Sequence, residues 1–316
     1  MNLNKLNKIS GDASFRVFYR KKNSILVYCK KEKKINLEVY DAINKILTKN
    51  KILAPKIINQ KFTKDFIEIE DFGDELIYKK FNKKGANKIK LYKKILKLLC
   101  KIQKVKTRKI KTFLGNSYKI SDYTNHKLMK ESNLFLEWYL PKFIKKNKKK
   151  KIQKEISRIY KILIHQLTLK RKVFVHRDFH ISNIMLTTKG LGLIDNQDSI
   201  FGNLAYDLAS LVDDVRIKTN LKTKNFIINE FLKMNRSIDY KNFKNDFEIL
   251  SVMRNLKIIG IFSRLSIRDR KHKYLKLIPR AWQLIELRTK NNPKFKDLME
   301  ILDANFNITL RKKYAN

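Results

Sequence analysis

The apolar positions of the first 75 residues fall in short runs of strand length, with one longer periodic stretch among them. A turn-rich string, Ser10-Gly11-Asp12-Ala13-Ser14, precedes a predicted strand over 15–19, and an apolar run predicts a second over 25–29. Between residues 37 and 47, apolar side chains stand at Leu37, Val39, Tyr40, Ile43, Ile46 and Leu47, the spacing of an amphipathic helix. Ile57-Ile58 and residues 66–69 predict two more strands, and Glu70-Asp71-Phe72-Gly73-Asp74 then breaks the pattern.

Beyond about residue 80 the period changes. Ile89, Tyr92, Ile95, Leu96, Leu99 and Ile102 lie at helical spacing, as do Ile152, Ile156, Ile159, Leu163 and Leu167. A short strand at 173–175 leads into a loop, a hairpin predicted from strands at 183–186 and 191–194, and helix again from Tyr206 onward. The pattern implies an α+β fold: a strand-rich N-terminal lobe over 1–75, with a hinge near 70–75, and a helical lobe over 76–316.

Composition changes this picture little. The chain of 316 residues carries 43% hydrophobic residues, ordinary for a globular protein. Its formal net charge of +44 points first to polyanions. However, Lys is spread along the chain and is abundant together with Ile and Asn, as a biased base composition would produce, and the densest run, 145–151, reads as a solvated loop. No specific nucleic-acid surface is expected. Cys29 and Cys100 sit in apolar patterns and read as small buried hydrophobes, with neither metal spacing nor a disulfide framework. The opening MNLNKLNKIS lacks a signal-peptide core, and no run of about 18 apolar residues exists. A cytoplasmic protein with no membrane partner is expected.

The chemistry concentrates in residues 173–211. Asp178 and Asn183 are five apart, and Asp195 follows Asn183 by twelve, at the end of the second hairpin strand. A hairpin folding back beside the loop brings the three together. Phosphoryl transfer needs such a set: hard oxygens for magnesium from Asn183 and Asp195, and a carboxylate, Asp178, to accept the proton of an attacking hydroxyl. His176 and His180 are four apart, but the strand-and-loop setting and the lack of a third ligand argue against zinc. No Ser stands in a Gly-x-Ser-x-Gly turn, which removes the serine hydrolases.

His176-Arg177-Asp178 with Asn183 resembles the kinase catalytic loop. The fuller HRDFHISNIML, with Ile194-Asp195-Asn196-Gln197-Asp198 and Tyr206-Asp207-Leu208-Ala209-Ser210-Leu211, resembles the aminoglycoside phosphotransferase family. Within it, the resemblance is greatest to the anomeric kinases of N-acetylmuramate and N-acetylglucosamine in cell-wall recycling. It extends to residues 11–16, 70–74, 134–139 and 255–265, nearly the whole chain.

The resemblance implies a protein-kinase-like, two-lobed fold using ATP and Mg2+. By it, Asp178 is the base and Asn183 and Asp195 hold the metal. Gly11, Asp12, Ala13, Ser14 and Phe15 cover the phosphates, Glu70, Asp71 and Phe72 present hinge backbone to adenine, and Asp207 braces the catalytic loop. Trp138, His180, Gln197, Asp198 and Arg254 are the candidates for binding an amino-sugar acceptor; Arg254 and Arg264 suit a lactyl carboxylate, against the alternative of ordinary surface arginines. Two features depart from the kinase pattern. The strand that should carry a phosphate-holding Lys has none before Lys30 and Lys31, either of which could serve, with Glu38 as ion-pair partner or as plain surface charge. Asn196 stands where the family usually has Phe. Other small hydroxyl acceptors, and a nucleic-acid-binding module on a degenerate kinase scaffold, stay open at this point.

Overall fold

The computed structural model describes residues 7–9, 16–29 and 35–314. The predicted phosphate loop, Gly11 to Phe15, and Lys30 lie outside the described residues. The chain forms two compact units, Met1–Asp122 with Val173–Phe201, and Tyr123–Lys172 with Gly202–Asn316. These units cut the chain differently from the change of period near residue 75, because the hairpin after residue 183 bonds to the first unit.

The first unit is built on a five-stranded antiparallel sheet in the order β1-β2-β3-β5-β4. Its strands are β1 (Asn7–Ile9), β2 (Arg16–Arg20), β3 (Ser24–Cys29), β4 (Ile57–Lys61) and β5 (Phe66–Glu70). Strand β3 pairs Cys29 with Arg16 and Val27 with Phe18 on one side, and Ile25 with Ile69 and Val27 with Ile67 on the other. Directly opposed residues share a sheet face. Val27, Cys29, Ile67 and Ile69 therefore make one apolar face, which packs with Leu37 and Tyr40 of α1 (Ile35–Lys49). Burial of each such side chain stabilises by about 1.5–3 kcal/mol. The helix thus forms on the periodicity read from residues 37–47.

Helices α2 (Ile77–Phe81) and α3 (Lys88–Gln103) follow, then a hairpin of β6 (Lys109–Lys111) and β7 (Ser117–Lys119) that the apolar pattern does not announce. Its loop caps α1: Thr112 Oγ1 and Asn116 Nδ2 each donate to Glu38 Oε1 at 2.8 Å, and the Phe113 N–H donates to Asp41 Oδ2 at 2.7 Å. Glu38 is therefore buried rather than a surface charge.

In the second unit, α4 (Asn125–Ser132) leads into a π-helical turn, Phe135–Tyr139, and α5 (Lys146–His165). The lysine run lies in the first turns of α5, not in a loop. Helices α6 (Ala205–Val212), α7 (Leu221–Met234), α8 (Tyr240–Arg268), α9 (Ile278–Thr289), α10 (Lys296–Asn305) and α11 (Ile308–Lys312) complete it. Helix α8 is buried nearly all round from Asp246 to Ser266, as a central helix must be. Gly260 allows it to approach the 134–135 backbone: a Cβ there would lie 2.2 Å from the Leu134 carbonyl carbon. Phe135, Tyr139, Trp282 and Phe306 form an aromatic cluster, with the Trp282 Nε1–H donating to the Tyr139 hydroxyl at 3.2 Å. No described helix is long and apolar enough to cross a membrane.

Candidate active site

Strand β8 (Lys172–Val175) ends in the fully buried Val173-Phe174-Val175, so the residues after it leave a fixed point. In the loop that follows, Phe179 and Ile181 are fully buried, while Arg177, Asp178, Ser182 and Asn183 stay partly accessible. Two apolar anchors thus hold the loop and leave its polar groups presented. Arg177 adopts φ 74°, a left-handed conformation costing about 1–3 kcal/mol in a non-glycine residue. The loop closes on itself: the Asp178 carbonyl accepts from the His180 N–H at 3.0 Å and from Asn183 Nδ2 at 3.0 Å. Asn183 Nδ2 also lies 3.4 Å from His180 Nε2. With its amide nitrogen committed, Asn183 keeps Oδ1 as its acceptor end.

Strands β9 (Ile184–Thr187) and β10 (Gly190–Leu193) pair antiparallel, with Leu193 opposite Ile184, and the Ile194 N–H donates to the Asn183 carbonyl at 3.1 Å. The hairpin therefore returns the chain to Asn183 and delivers Asp195 beside it. Asp195 is also left-handed, at φ 63°. Its carboxylate is held through Oδ1, by the guanidinium of Arg16 and by Gln197 Nε2 at 3.2 Å. Gln197 Oε1 accepts from Arg16 Nη1 at 2.7 Å, and its Nε2 also donates to Asp198 Oδ2 at 3.0 Å. Arg177 Nη1 donates to the Asp198 carbonyl at 3.1 Å. Most of the amide of Gln197 is thus spent inside the protein, whereas the Asp198 side chain is 58% exposed.

Asn196 is fully buried and hydrogen-bonded rather than packed. Its Nδ2 donates to Asn44 Oδ1 at 2.8 Å and to the Leu193 carbonyl at 3.1 Å. Its Oδ1 lies 2.9 Å from His176 Nε2, which is also 3.2 Å from the Ile194 carbonyl. Both neighbours being acceptors, Nε2 carries the proton. A polar chain from His176 through Asn196 to Asn44 replaces the apolar packing a Phe would give, and it ties α1 to the Asp195 turn. Tyr40, one helical turn before Asn44, has its phenol pushed up to about 12, chiefly by burial and against the pull of Arg16.

Residues 71–74, in the segment expected as a hinge, are fixed by Arg20 at the end of β2. Its guanidinium pairs with Asp71 at 2.6 Å and with Asp74 at 2.7 Å and donates to the Gly73 carbonyl at 3.1 Å. Glu70 Oε2 accepts from the Lys56 N–H at 3.0 Å. Phe72 lies over Gly192, where a Cβ would meet the ring at 2.6 Å, so β10 needs glycine there. Glu70, Asp71 and Phe72, with Leu53, Ala54 and Leu186, border a cavity of about 500 Å³.

Asp178, Asn183, Asp195, Gln197 and Asp198 are therefore gathered in the first unit, with His180, which is buried. Trp138 and Arg254 belong to the second. Trp138 is half-buried in the π-helical turn, its neighbour Tyr139 is core, and Arg254 is buried on α8 at 4% exposure, not a surface arginine. Asp207 is fully buried on α6. The sequence reading gives no role to Arg16, Arg20 or Asn44; only a Phe-to-Asn change at 196 hints that a polar partner must face it. Among the described residues no cluster of three His, Cys, Asp or Glu could cage a metal. Two oxygens, from Asn183 and Asp195, instead fit magnesium, which takes few protein ligands and completes its shell with water and phosphate.

Solved structures share this architecture. The gentamicin complex of the aminoglycoside phosphotransferase APH(2")-IIa superposes with a TM-score of 0.62 at 14% identity, over 90% of this chain and 94% of that one. A choline/ethanolamine kinase family protein from Mesorhizobium loti gives 0.61 at 11% identity, over 94% and 92%. The fold is the protein-kinase-like, two-lobed one. The model of the phosphotransferase enzyme family matches residues 5–222. The chain belongs to this family and is a small-molecule kinase that phosphorylates a hydroxyl. It is similar to the N-acetylmuramate/N-acetylglucosamine kinase of Pseudomonas aeruginosa, at 25% identity over 93% of this chain and 86% of the relative. The enzyme of the same name from Neisseria meningitidis is 27% identical over 86% and 81%.

Proposed function

We propose that this protein transfers the γ-phosphoryl group of ATP to the anomeric hydroxyl of N-acetylmuramate or N-acetylglucosamine, giving the sugar 1-phosphate. The reading rests on one observation above the rest: similarity over most of the chain to relatives named for these two sugars, in a chain whose Asp178, Asn183 and Asp195 meet in one unit.

In this mechanism the Asp178 carboxylate accepts a hydrogen bond from the sugar hydroxyl, fixes its line of attack and takes its proton as the new O–P bond forms and the bond from the γ-phosphorus to the β–γ bridging oxygen breaks, releasing ADP. Asn183 Oδ1 and Asp195 would hold magnesium, which supplies charge neutralisation of the phosphates when bound. The loop bonds from Asn183 and His180 to the Asp178 carbonyl keep base and ligand in fixed register. Glu70, Asp71 and Phe72 would receive adenine, and residues 11–15 the phosphates. His180 and Asp198 are the expected acceptor contacts. Gln197 acts on Asp195 rather than on the sugar.

The test is ADP release from magnesium-ATP with N-acetylmuramate, N-acetylglucosamine, other amino sugars and an aminoglycoside. Turnover with the N-acetyl sugars supports the reading. Turnover with another acceptor alone would discard the sugar assignment and keep the kinase.

A further inference from the structure

We propose that Arg16 is the fixed cation of the phosphoryl-transfer site, a positioning residue that holds Asp195 and Gln197 in place and supplies the positive charge that β3 does not. This rests on the kinase reading above. Strand β3, Ser24–Cys29, contains no cationic residue. Arg16 begins the neighbouring strand directly opposite Cys29, so it shares the sheet face that packs on α1.

Its surroundings are unusual for an arginine. It is 4% exposed, with its guanidinium 5.6 Å from the Phe18 ring centre and 5.5 Å from that of Tyr40. Burying a cation is costly unless it is paired and hydrogen-bonded. The charge here meets the Asp195 carboxylate through Nη2, while Nη1 donates to Gln197 Oε1 at 2.7 Å. Gln197 Nε2 returns to Asp195 Oδ1 at 3.2 Å, closing a three-membered ring of contacts. A planar fork can serve two acceptors at fixed angle, and a lysine ammonium cannot hold that geometry.

The carboxylates of α1 are committed elsewhere. Glu38 accepts from Thr112 and Asn116, and Asp41 from Lys45 and the Phe113 N–H. Among the described residues, Arg16 pairs with the Asp195 carboxylate. Holding it through Oδ1 keeps Oδ2 as the ligand oxygen, and the guanidinium charge lowers the repulsion between this carboxylate and incoming phosphates.

The experiment compares wild type, Arg16→Gln and Arg16→Lys by titration with the fluorescent nucleotide mant-ATP and magnesium, without acceptor, and then by steady-state kinetics. Arg16→Gln should bind mant-ATP on the order of 100-fold more weakly, with the acceptor KM within about two-fold of wild type. Arg16→Lys should recover most of the binding but not kcat, because the charge returns without the fork. Wild-type nucleotide affinity in Arg16→Gln, or wild-type kcat in Arg16→Lys, overturns the proposal. Should Arg16→Gln not fold, kcat of Arg16→Lys decides alone. A wild-type protein that binds no magnesium-nucleotide would instead remove the kinase reading itself.

Discussion

Replacing Asn196 with Ala removes the side chain that joins α1, the loop after β8 and the Asp195 turn. Three groups lose a partner: Asn44 Oδ1, the Leu193 carbonyl and His176 Nε2. His176 keeps the Ile194 carbonyl at 3.2 Å, and Asn44 keeps its own bond to the Pro55 carbonyl at 2.9 Å, so its Oδ1 alone is orphaned. Each buried group left unsatisfied costs about 1–3 kcal/mol, and two are left largely without compensation. The expected loss is about 3 kcal/mol. In urea, with a slope of about 2 kcal/mol per molar, the midpoint falls by about 1.5 M. Asn44→Ala removes one of the same bonds, so the double variant should be about 1 kcal/mol more stable than the sum of the single losses predicts. Asn196→Phe should not rescue, because the site it enters is lined by Asn44 and His176. Far-UV circular dichroism in urea measures all four variants. An Asn196→Ala protein within about 0.5 kcal/mol of wild type, or strictly additive losses, would refute the reasoning.

Two further predictions concern the helical unit. Asp213 is fully buried and bonded to Lys224 at 2.6 Å, Arg288 at 2.8 Å and Ser251 at 2.6 Å. Burial alone would raise its carboxyl, but Lys224 and Arg288 overcome this and bring it from 3.8 to about 2. A lowered folded value means that the stabilisation is full above pH about 4 and is lost as pH falls through about 2. Asp213→Asn takes the carboxylate from the buried Lys224 and the part-buried Arg288 and should cost about 3 kcal/mol at pH 7, with a flatter acid limb in stability measured between pH 5 and 2. Gly260→Ala places a Cβ 2.2 Å from the Leu134 carbonyl carbon, a backbone atom that cannot rotate away. It should lower the thermal midpoint with a loss of about 3 kcal/mol, and a neutral outcome would show that α8 can shift at this crossing.

What the sequence makes legible here follows periodicity and motif. The helix from Ile35 to Lys49 and strand β3 are read correctly because one face of each must be apolar. Asp178, Asn183 and Asp195 are readable because loop and hairpin spacing force them together. Strands β6 and β7 escape, each being three residues long with only one side chain that is not exposed. Glu38 reads as surface charge because its partners, Thr112 and Asn116, are more than 70 residues away. The lysine run from 145 to 151 reads as loop because repulsion and the helix dipole both oppose a basic first turn. Burial of Ile152, Ile156 and Ile159 further along α5 outweighs both. Arg16 is visible only as the end of a motif, since a lone Arg at a strand start carries no signal until the Asp195 turn folds against it.

The most direct test of phosphoryl transfer at Asp178 is the 31P NMR spectrum of the product from N-acetylmuramate and magnesium-ATP. Wild type should give a sugar phosphate resonance coupled to the anomeric proton, and Asp178→Asn, still binding mant-ATP, should form it at least about 1,000-fold more slowly. A phosphate on any other hydroxyl, or product from Asp178→Asn at a rate near that of wild type, would contradict the account.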